Sequence, residues 1–306
     1  MVLISGRANP ILGKKISTHI GTPLTDPQLS CFKDGELACA VSENVRGCDV
    51  FVIQPTNRPA NDHLMELLIM IEALRRASAK RITAIIPYYG YSRQDRKPTS
   101  RAPITAKLVA RLIETAGAHR LVTADLHADQ IQGFFDIAVD NLYCRNYLAG
   151  AFKTYLAEMR VLEKLVVVAP DVGGVARARS FAKIINADLV IVDKRRERAN
   201  ESEVMNIIGD VDGRYCILVD DIVDTAGTLC NAATALIEKG AKTVAAACVH
   251  GVFSPPALER INRSPIAHMF VTNTIQPSLE VVAHSKIKIV CIATLIAQWS
   301  ILTLTW

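Results

Sequence analysis

The sequence predicts an α/β protein whose mainly parallel sheets, flanked by helices, are shared between two domains. Three observations carry this. Short apolar, β-branched runs alternate with helix-spaced patterns along most of the chain. At 306 residues and 50% hydrophobic, the chain is long enough to bury two cores. A weak internal repeat also joins the halves: Gly117-Ala118 and Gly240-Ala241 each lead through a strand to a histidine, His127 and His250. A helix bearing Leu-Ile-Glu, at 112–114 and 236–238, precedes each copy. A duplicated domain accounts for the repeat, and chance similarity of two helix-strand units is the alternative. The join falls near 144–151, giving domains over 1–146 and 147–306, with the final segment from about 290 packing on the first domain.

Taken in order, 50–54, 82–87, 120–124, 165–169, 189–193, 216–219 and 244–249 are strands, being rich in Val, Ile and Leu and bounded by turn residues. Helical spacing marks 64–77, 104–116, 175–185 and 229–239. The prolines of K-P-T-S-R-A-P end any helix before Thr105. Residues 287–293 form a core strand. The uncharged remainder, 294–306, carries Thr, Gln and Ser, which favours a short helix or strand over an interface rather than a membrane span.

The richest motif is V-D-D-I-V-D-T-A-G-T, residues 219–228, where an apolar strand meets a helix start. Free N–H groups collect at such a junction and bind a phosphate without a cationic side chain. Gly227 lets the backbone come close, the Thr225 and Thr228 hydroxyls add donors, and Asp220 and Asp221 suit the vicinal hydroxyls of a ribose. The competing reading is an acidic turn with Asp224 capping the helix; three carboxylates in five residues repel one another, and a cap needs one.

A second strand-to-helix loop is Pro170-Asp171-Val172-Gly173-Gly174. Its glycines let N–H groups face an anion and Asp171 suits magnesium, although a tight structural turn explains it equally well. The charged run 194–200, K-R-R-E-R-A-N, is either a solvated loop or a mobile lid that brings cations to a phosphoryl group in transfer. In the first half, Phe32 can stack on a base, Gln94 and Asp95 offer hydrogen bonds, and Arg93 a planar fork; the same clusters would also serve a subunit contact. His127, between Asp125 and Asp129 at a strand end, is a candidate for a nucleotide or metal site.

Together these motifs resemble the ribose-phosphate diphosphokinases, or phosphoribosyl pyrophosphate synthetases, of the class I type. F-K-D-G-E, Y-S-R-Q-D-R, T-A-D-L-H-A-D-Q-I-Q-G-F-F, D-V-G-G and D-K-R-R carry the resemblance, which runs to about Ile292; beyond it the sequence ends W-S-I-L-T-L-T-W where the family has a charged helix. The resemblance implies two tandem phosphoribosyltransferase-like domains, the first having lost its sugar-phosphate loop. It implies transfer of the β,γ-diphosphoryl group of magnesium-ATP to the anomeric hydroxyl of ribose 5-phosphate, giving phosphoribosyl diphosphate and AMP for nucleotide, histidine and tryptophan biosynthesis. Carried over by residue, Asp220, Asp221, Asp224, Thr225, Ala226, Gly227 and Thr228 hold ribose 5-phosphate. Asp171, Gly173 and Gly174 face the diphosphate, and Lys194 and Arg196 stabilise the transferring group. Phe32, Asp34, Glu36, Arg93, Gln94, Asp95 and His127 hold ATP, with two magnesium ions at Asp171 and His127. The resemblance further implies a homohexamer with an ATP site shared between subunits, phosphate as activator, and Arg46 at a regulatory or interface position.

A net charge of +5 with bases and acids intermixed gives no case for nucleic acid, and small anionic substrates suffice as partners. Eight cysteines without a C-x-x-C pair, and no signal-peptide pattern, fit reduced thiols in the cytoplasm. A phosphoribosyltransferase would need no adenine site, and a non-catalytic synthetase-associated subunit would have a disrupted lid, so both stand as alternatives to the enzyme.

Overall fold

The computed structural model describes residues 1–158, 164–195 and 204–304. The chain divides into two compact units. Unit 1 comprises Met1–Tyr143, Thr274–Gln276 and the segment from Ile292 onward, and unit 2 comprises Cys144–Asn273 with Pro277–Cys291.

In unit 1 the order is β1 (Val2–Ser5), α1 (Pro10–Ile20), β2 (Leu24–Thr25), a ribbon of β3 (Ser30–Cys31) and β4 (Leu37–Ala38), β5 (Asp49–Ile53), α2 (Ala60–Arg76) and β6 (Arg81–Ile86). Then come α3 (Thr105–Ala116), β7 (Arg120–Ala124), a 3₁₀ turn over Asp129–Phe134, and β8 (Ala138–Leu142). The six-stranded sheet has the order β2-β1-β5-β6-β7-β8, every pair parallel. Its core sets Ile4, Val50, Val52, Ile82, Ala84 and Ile86 against Leu67, Met70, Ile71 and Leu74 of α2 and Val109 and Ile113 of α3.

Unit 2 runs α4 (Arg145–Glu158), β9 (Leu165–Ala169), α5 (Val175–Ile185), β10 (Asp188–Arg195), β11 (Val204–Ile208), β12 (Tyr215–Val223), α6 (Gly227–Glu238), β13 (Thr243–Gly251), α7 (Ala257–Arg263), β14 (Ile266–Thr272), α8 (Leu279–Ala283) and β15 (Ile287–Val290). Its seven-stranded sheet has the order β11-β10-β9-β12-β13-β14-β15, parallel except for β11. One face of the sheet, through Val166, Val168, Cys216, Leu218, Val244 and Ala246, packs on Leu229, Ala232, Ala233 and Leu236 of α6.

Each strand and helix expected from the sequence is present as its own type with shifts at its ends, but the sequence reading leaves β1–β4, β8, β11, β14, α1, α4, α7 and α8 unmarked. The chain passes between units at Cys144 rather than after residue 146, because the Cys144 carbonyl accepts the Leu148 N–H and so starts α4, a helix of unit 2. The two copies of the repeat share one local geometry: Gly117 (φ +118°) ends α3 and Gly240 (φ +91°) follows α6, each before a buried alanine and a strand. A left-handed backbone is what glycine tolerates at a helix end.

The uncharged carboxyl segment is α9 (Ala293–Leu304), a helix packed on α1. Trp299 meets Phe51 edge-on at 6.5 Å between ring centroids. Among the described residues no helix is long and apolar enough to cross a membrane. Ile296, 1% exposed, is the test of this packing: Ile296→Ala should lower stability by about 2–4 kcal/mol in urea denaturation.

Candidate active site

Strand order in unit 2 reverses between β9 and β12. The chain leaves β9 for β10 on one side and leaves β12 for β13 on the other, and right-handed crossovers then put α5 and α6 on opposite faces. The two loops, Pro170–Gly174 and Asp224–Thr228, therefore diverge from the carboxyl ends of adjacent strands, where α/β sheets open a crevice for ligands.

Asp220 and Asp221 are strand residues, which corrects the reading that ended this strand at Val219. The pairing of β12 with β9 ends at Leu218↔Val168, but β13 continues to supply backbone partners, with Asp220 opposite Cys248 and Val223 opposite Gly251. The carboxylates thus project beyond the end of β9 on a backbone fixed from one side. The Arg177 guanidinium, from the first turns of α5, bridges them: Nη1 lies 3.4 Å from Asp220 Oδ1 and 3.2 Å from Asp221 Oδ1. The Asp221 N–H also donates to Asp220 Oδ1 at 2.9 Å. Burial raises the Asp220 carboxyl to about 8; the charge of Asp221 adds to the rise and Arg177 opposes it. Sequence reasoning missed Arg177. A base on the sheet-facing stripe of α5, between the buried Ala178 and Phe181 and the loop glycines, was the available signal.

Ala226 occupies the N-cap position of α6, with φ +60° and no side-chain cap bond. Asp224 is therefore not the cap, and the first N–H groups of α6 have no partner within the helix. Thr225 and Thr228 are exposed beside them, whereas Ala226 is buried. In the other loop Asp171 Oδ1 accepts the Gly174 N–H at 2.9 Å, which closes the turn and leaves its second oxygen for a hard cation. Among the described residues no three His, Cys, Asp or Glu side chains form a metal-holding group, so magnesium at Asp171 would take its remaining ligands from phosphate oxygens and water. Lys194 lies on β10 opposite Met205. Arg196 lies outside the described residues.

In unit 1 two loops come together at the ends of the neighbouring strands β6 and β7. Gln130 Nε2 donates to Asp95 Oδ2 at 2.9 Å, which ties the Arg93-Gln94-Asp95 loop to the turn after His127. Gln94 Oε1 accepts the Thr105 hydroxyl at 2.6 Å, and Asp129 Oδ1 accepts from Asn141 Nδ2 and the Tyr143 hydroxyl, each at 3.1 Å. Arg93 and His127 are exposed. Phe32, Asp34 and Glu36 stand on a separate element, the tip of the β3–β4 ribbon. There the Phe32 N–H donates to the Glu36 carbonyl at 2.8 Å and the Glu36 N–H to Asp34 Oδ1 at 3.2 Å. Phe32 is 61% exposed, unlike the aromatic rings of the core.

Residues 1–117 match the family model of the N-terminal domain of ribose phosphate pyrophosphokinase, and residues 195–302 that of the phosphoribosyl synthetase-associated domain. Ribose-phosphate pyrophosphokinase of Helicobacter hepaticus is 54% identical over 296 residues, covering 97% of this chain and 93% of its own. That of Bradyrhizobium diazoefficiens is 55% identical, covering 97% and 92%. The chain belongs to the ribose-phosphate pyrophosphokinase family. The crystal structure of phosphoribosylpyrophosphate synthetase from Mycobacterium smegmatis superposes with a TM-score of 0.93 at 41% identity, covering 99% of this chain and 98% of that one. With near-complete coverage on both sides, the chain carries the enzyme activity for which the ribose-phosphate pyrophosphokinases are named.

The raised Asp220 carboxyl makes stability depend on pH with a definite sign. Its folded form holds a proton that the unfolded chain has already lost near pH 4, so this contribution is full below about pH 4 and fades as pH rises through about 8. Thermal melts between pH 5 and 8 should show falling stability without ligand, and Asp220→Asn should flatten that slope and gain on the order of 2 kcal/mol at pH 8.

Proposed function

We propose that this enzyme transfers the β,γ-diphosphoryl group of magnesium-ATP to the anomeric hydroxyl of ribose 5-phosphate, giving phosphoribosyl diphosphate and AMP. The observation that carries this reading is the carboxylate pair Asp220–Asp221 standing between two strand-end loops at the β9/β12 reversal. A five-carbon sugar phosphate presents matching groups. Its 2- and 3-hydroxyls donate to Asp220 and Asp221, and its phosphate accepts from the N–H groups of 225–228 and from the Thr225 and Thr228 hydroxyls. The anomeric oxygen is then directed toward the Asp171–Gly174 loop, which receives the diphosphoryl group.

In the transfer, the anomeric oxygen forms a bond to the β-phosphorus of ATP while the bond from that phosphorus to the oxygen retained by AMP breaks; the hydroxyl proton is lost to solvent, as no side chain stands out as a general base. Such a reaction asks for alignment and charge neutralisation rather than covalent help. Magnesium, when bound at Asp171 and beside His127, supplies charge neutralisation to the phosphates. Lys194 and Arg196 add cations around the transferring group. Adenine stacks on Phe32, with Asp34, Glu36, Arg93, Gln94 and Asp95 binding the rest of the nucleotide. The exposure of Phe32 supports a ribbon tip that serves a neighbouring subunit's site, and the family resemblance extends this proposal to a homohexamer with phosphate as an activator. The eight free cysteines favour the cytoplasm.

Phosphorus NMR of the protein with ATP, magnesium and ribose 5-phosphate should show AMP and phosphoribosyl diphosphate accumulating together; ADP as the sole nucleotide product, or no turnover, would sink this reading. Lys194→Ala or Arg196→Ala should each reduce turnover by on the order of a thousandfold with ribose 5-phosphate binding nearly unchanged. Sugar hydroxyls favour ionised carboxylates, so binding of ribose 5-phosphate at pH 7 should release protons from the Asp220–Asp221 pair. Calorimetry in buffers of different ionisation enthalpy measures this, and Asp220→Asn should diminish it.

A further inference from the structure

The loop before α6 is braced from outside by a side chain that the proposed reaction does not use. Ala226 keeps a left-handed backbone although it is not glycine, a conformation that persists only where the surroundings hold it. From α7, Arg260 Nη1 donates to the Thr225 carbonyl at 3.1 Å. The same nitrogen would stand 3.4 Å from a Cβ placed on Gly227, so the guanidinium lies against the loop at both Thr225 and Gly227.

The helix that carries Arg260 is fixed in turn. Lys286 Nζ donates to the carbonyls of Ile261 (3.0 Å), Asn262 (2.9 Å) and Ser264 (2.8 Å), a cation seated on the negative end of α7. Ala257 and Ile261 of the same helix are buried in the unit 2 core. Lys286, α7 and Arg260 thus form one connected strut that ends on the Thr225 carbonyl.

We infer that Arg260 is a positioning residue for the sugar phosphate. A trans peptide is a rigid plane whose C=O and N–H point in opposite directions. Pinning the Thr225 carbonyl toward α7 therefore turns the Ala226 N–H the other way, among the donors at the start of α6. The guanidinium also polarises that peptide and strengthens its N–H as a donor to an anion. The inference rests on the placement of ribose 5-phosphate at Asp220–Thr228 and deepens it.

Beside the strut lies an open cleft of about 340 Å³, lined by Gly227, Cys230, Thr234, Ser264 and Arg260 itself. Truncating Arg260 leaves space there that a free guanidinium ion can enter, which permits a test by chemical rescue. Ribose 5-phosphate binding by calorimetry, with steady-state kinetics, is compared for the unaltered chain, Arg260→Ala and Arg260→Lys. Loss of one hydrogen bond from a charged donor predicts a Kd and KM for ribose 5-phosphate weakened by roughly 10- to 100-fold in Arg260→Ala, with kcat and the KM for ATP changed less than about threefold. Guanidinium at sub-denaturing concentration should restore most of that loss, and Arg260→Lys should fall between the two.

An unchanged Kd in the alanine variant overturns the inference, as does a loss confined to kcat or one that guanidinium leaves untouched. Should the alanine variant fail to fold, the lysine variant decides, and sugar-phosphate affinity equal to that of the unaltered chain overturns it. Failure of the unaltered chain to bind ribose 5-phosphate would overturn the site reading itself, an outcome distinct from the others.

Discussion

The reversal of strand order between β9 and β12 is the constraint on which the rest of unit 2 depends. Because successive crossovers are right-handed, a sheet that grows in both directions from one pair of strands must send its helices to opposite faces at that pair and nowhere else. The loops after β9 and β12 part there. Every other feature of the candidate site is an elaboration of that parting: a turn closed by Asp171 on one side, an uncapped helix start at Ala226 on the other, and a strand that outruns its neighbour between them.

The carboxylate pair shows what this placement costs. Two acids on consecutive residues, held beside each other by a strand, lose hydration without gaining equal compensation, and the upward shift at Asp220 measures the imbalance. Arg177 offsets part of it. Its distances of 3.4 and 3.2 Å are longer than those of a tight charge-assisted pair, so it relieves the repulsion only in part. Such an arrangement does little for stability alone, as a buried pair of like charges with one loosely placed cation costs more in hydration than it regains.

Much of this was legible from the sequence because the chemistry is concentrated in short contiguous motifs at strand ends. Val219–Thr228 and Pro170–Gly174 declared themselves by composition, and periodicity found the central strands and helices. What escaped was non-local. Arg177 and Arg260 act across elements, the first 43 residues from Asp220 and the second 35 from Thr225, and no local pattern links them. The strand boundary at Val219 was wrong for the same reason, since it is β13 and not the sequence around Asp220 that carries β12 onward. Strands β1–β4, β8, β11 and β14 and helices α1, α4, α7 and α8 are likewise unmarked in the sequence reading, being short or without a clear period, and tertiary packing decides them.

The glycines at the strand ends of the two units answer to different surroundings. Unit 1 has its own reversal, between β1 and β5, and there protein groups take up the strand ends. Gln54 accepts from the Ala8 N–H at 3.1 Å and donates to Glu66 at 2.9 Å, and Glu66 accepts from the Arg7 N–H and Nε at 2.7 and 2.6 Å. Gly6 is glycine because of them: a Cβ would lie 2.3 Å from Gln54 Oε1. Gly173, Gly174 and Gly227 in unit 2 are less closely enclosed by the described residues. A Cβ on each would meet its nearest protein atom at 3.2, 3.7 and 3.4 Å, and none of the three has a left-handed backbone. Among the described residues an alanine at Gly174 or Gly227 meets only ordinary contact and one at Gly173 asks the Asp171 carboxylate to give by a few tenths of an ångström, so packing constrains these loops far less than it does Gly6, where the Gln54–Glu66 pair fills the strand end.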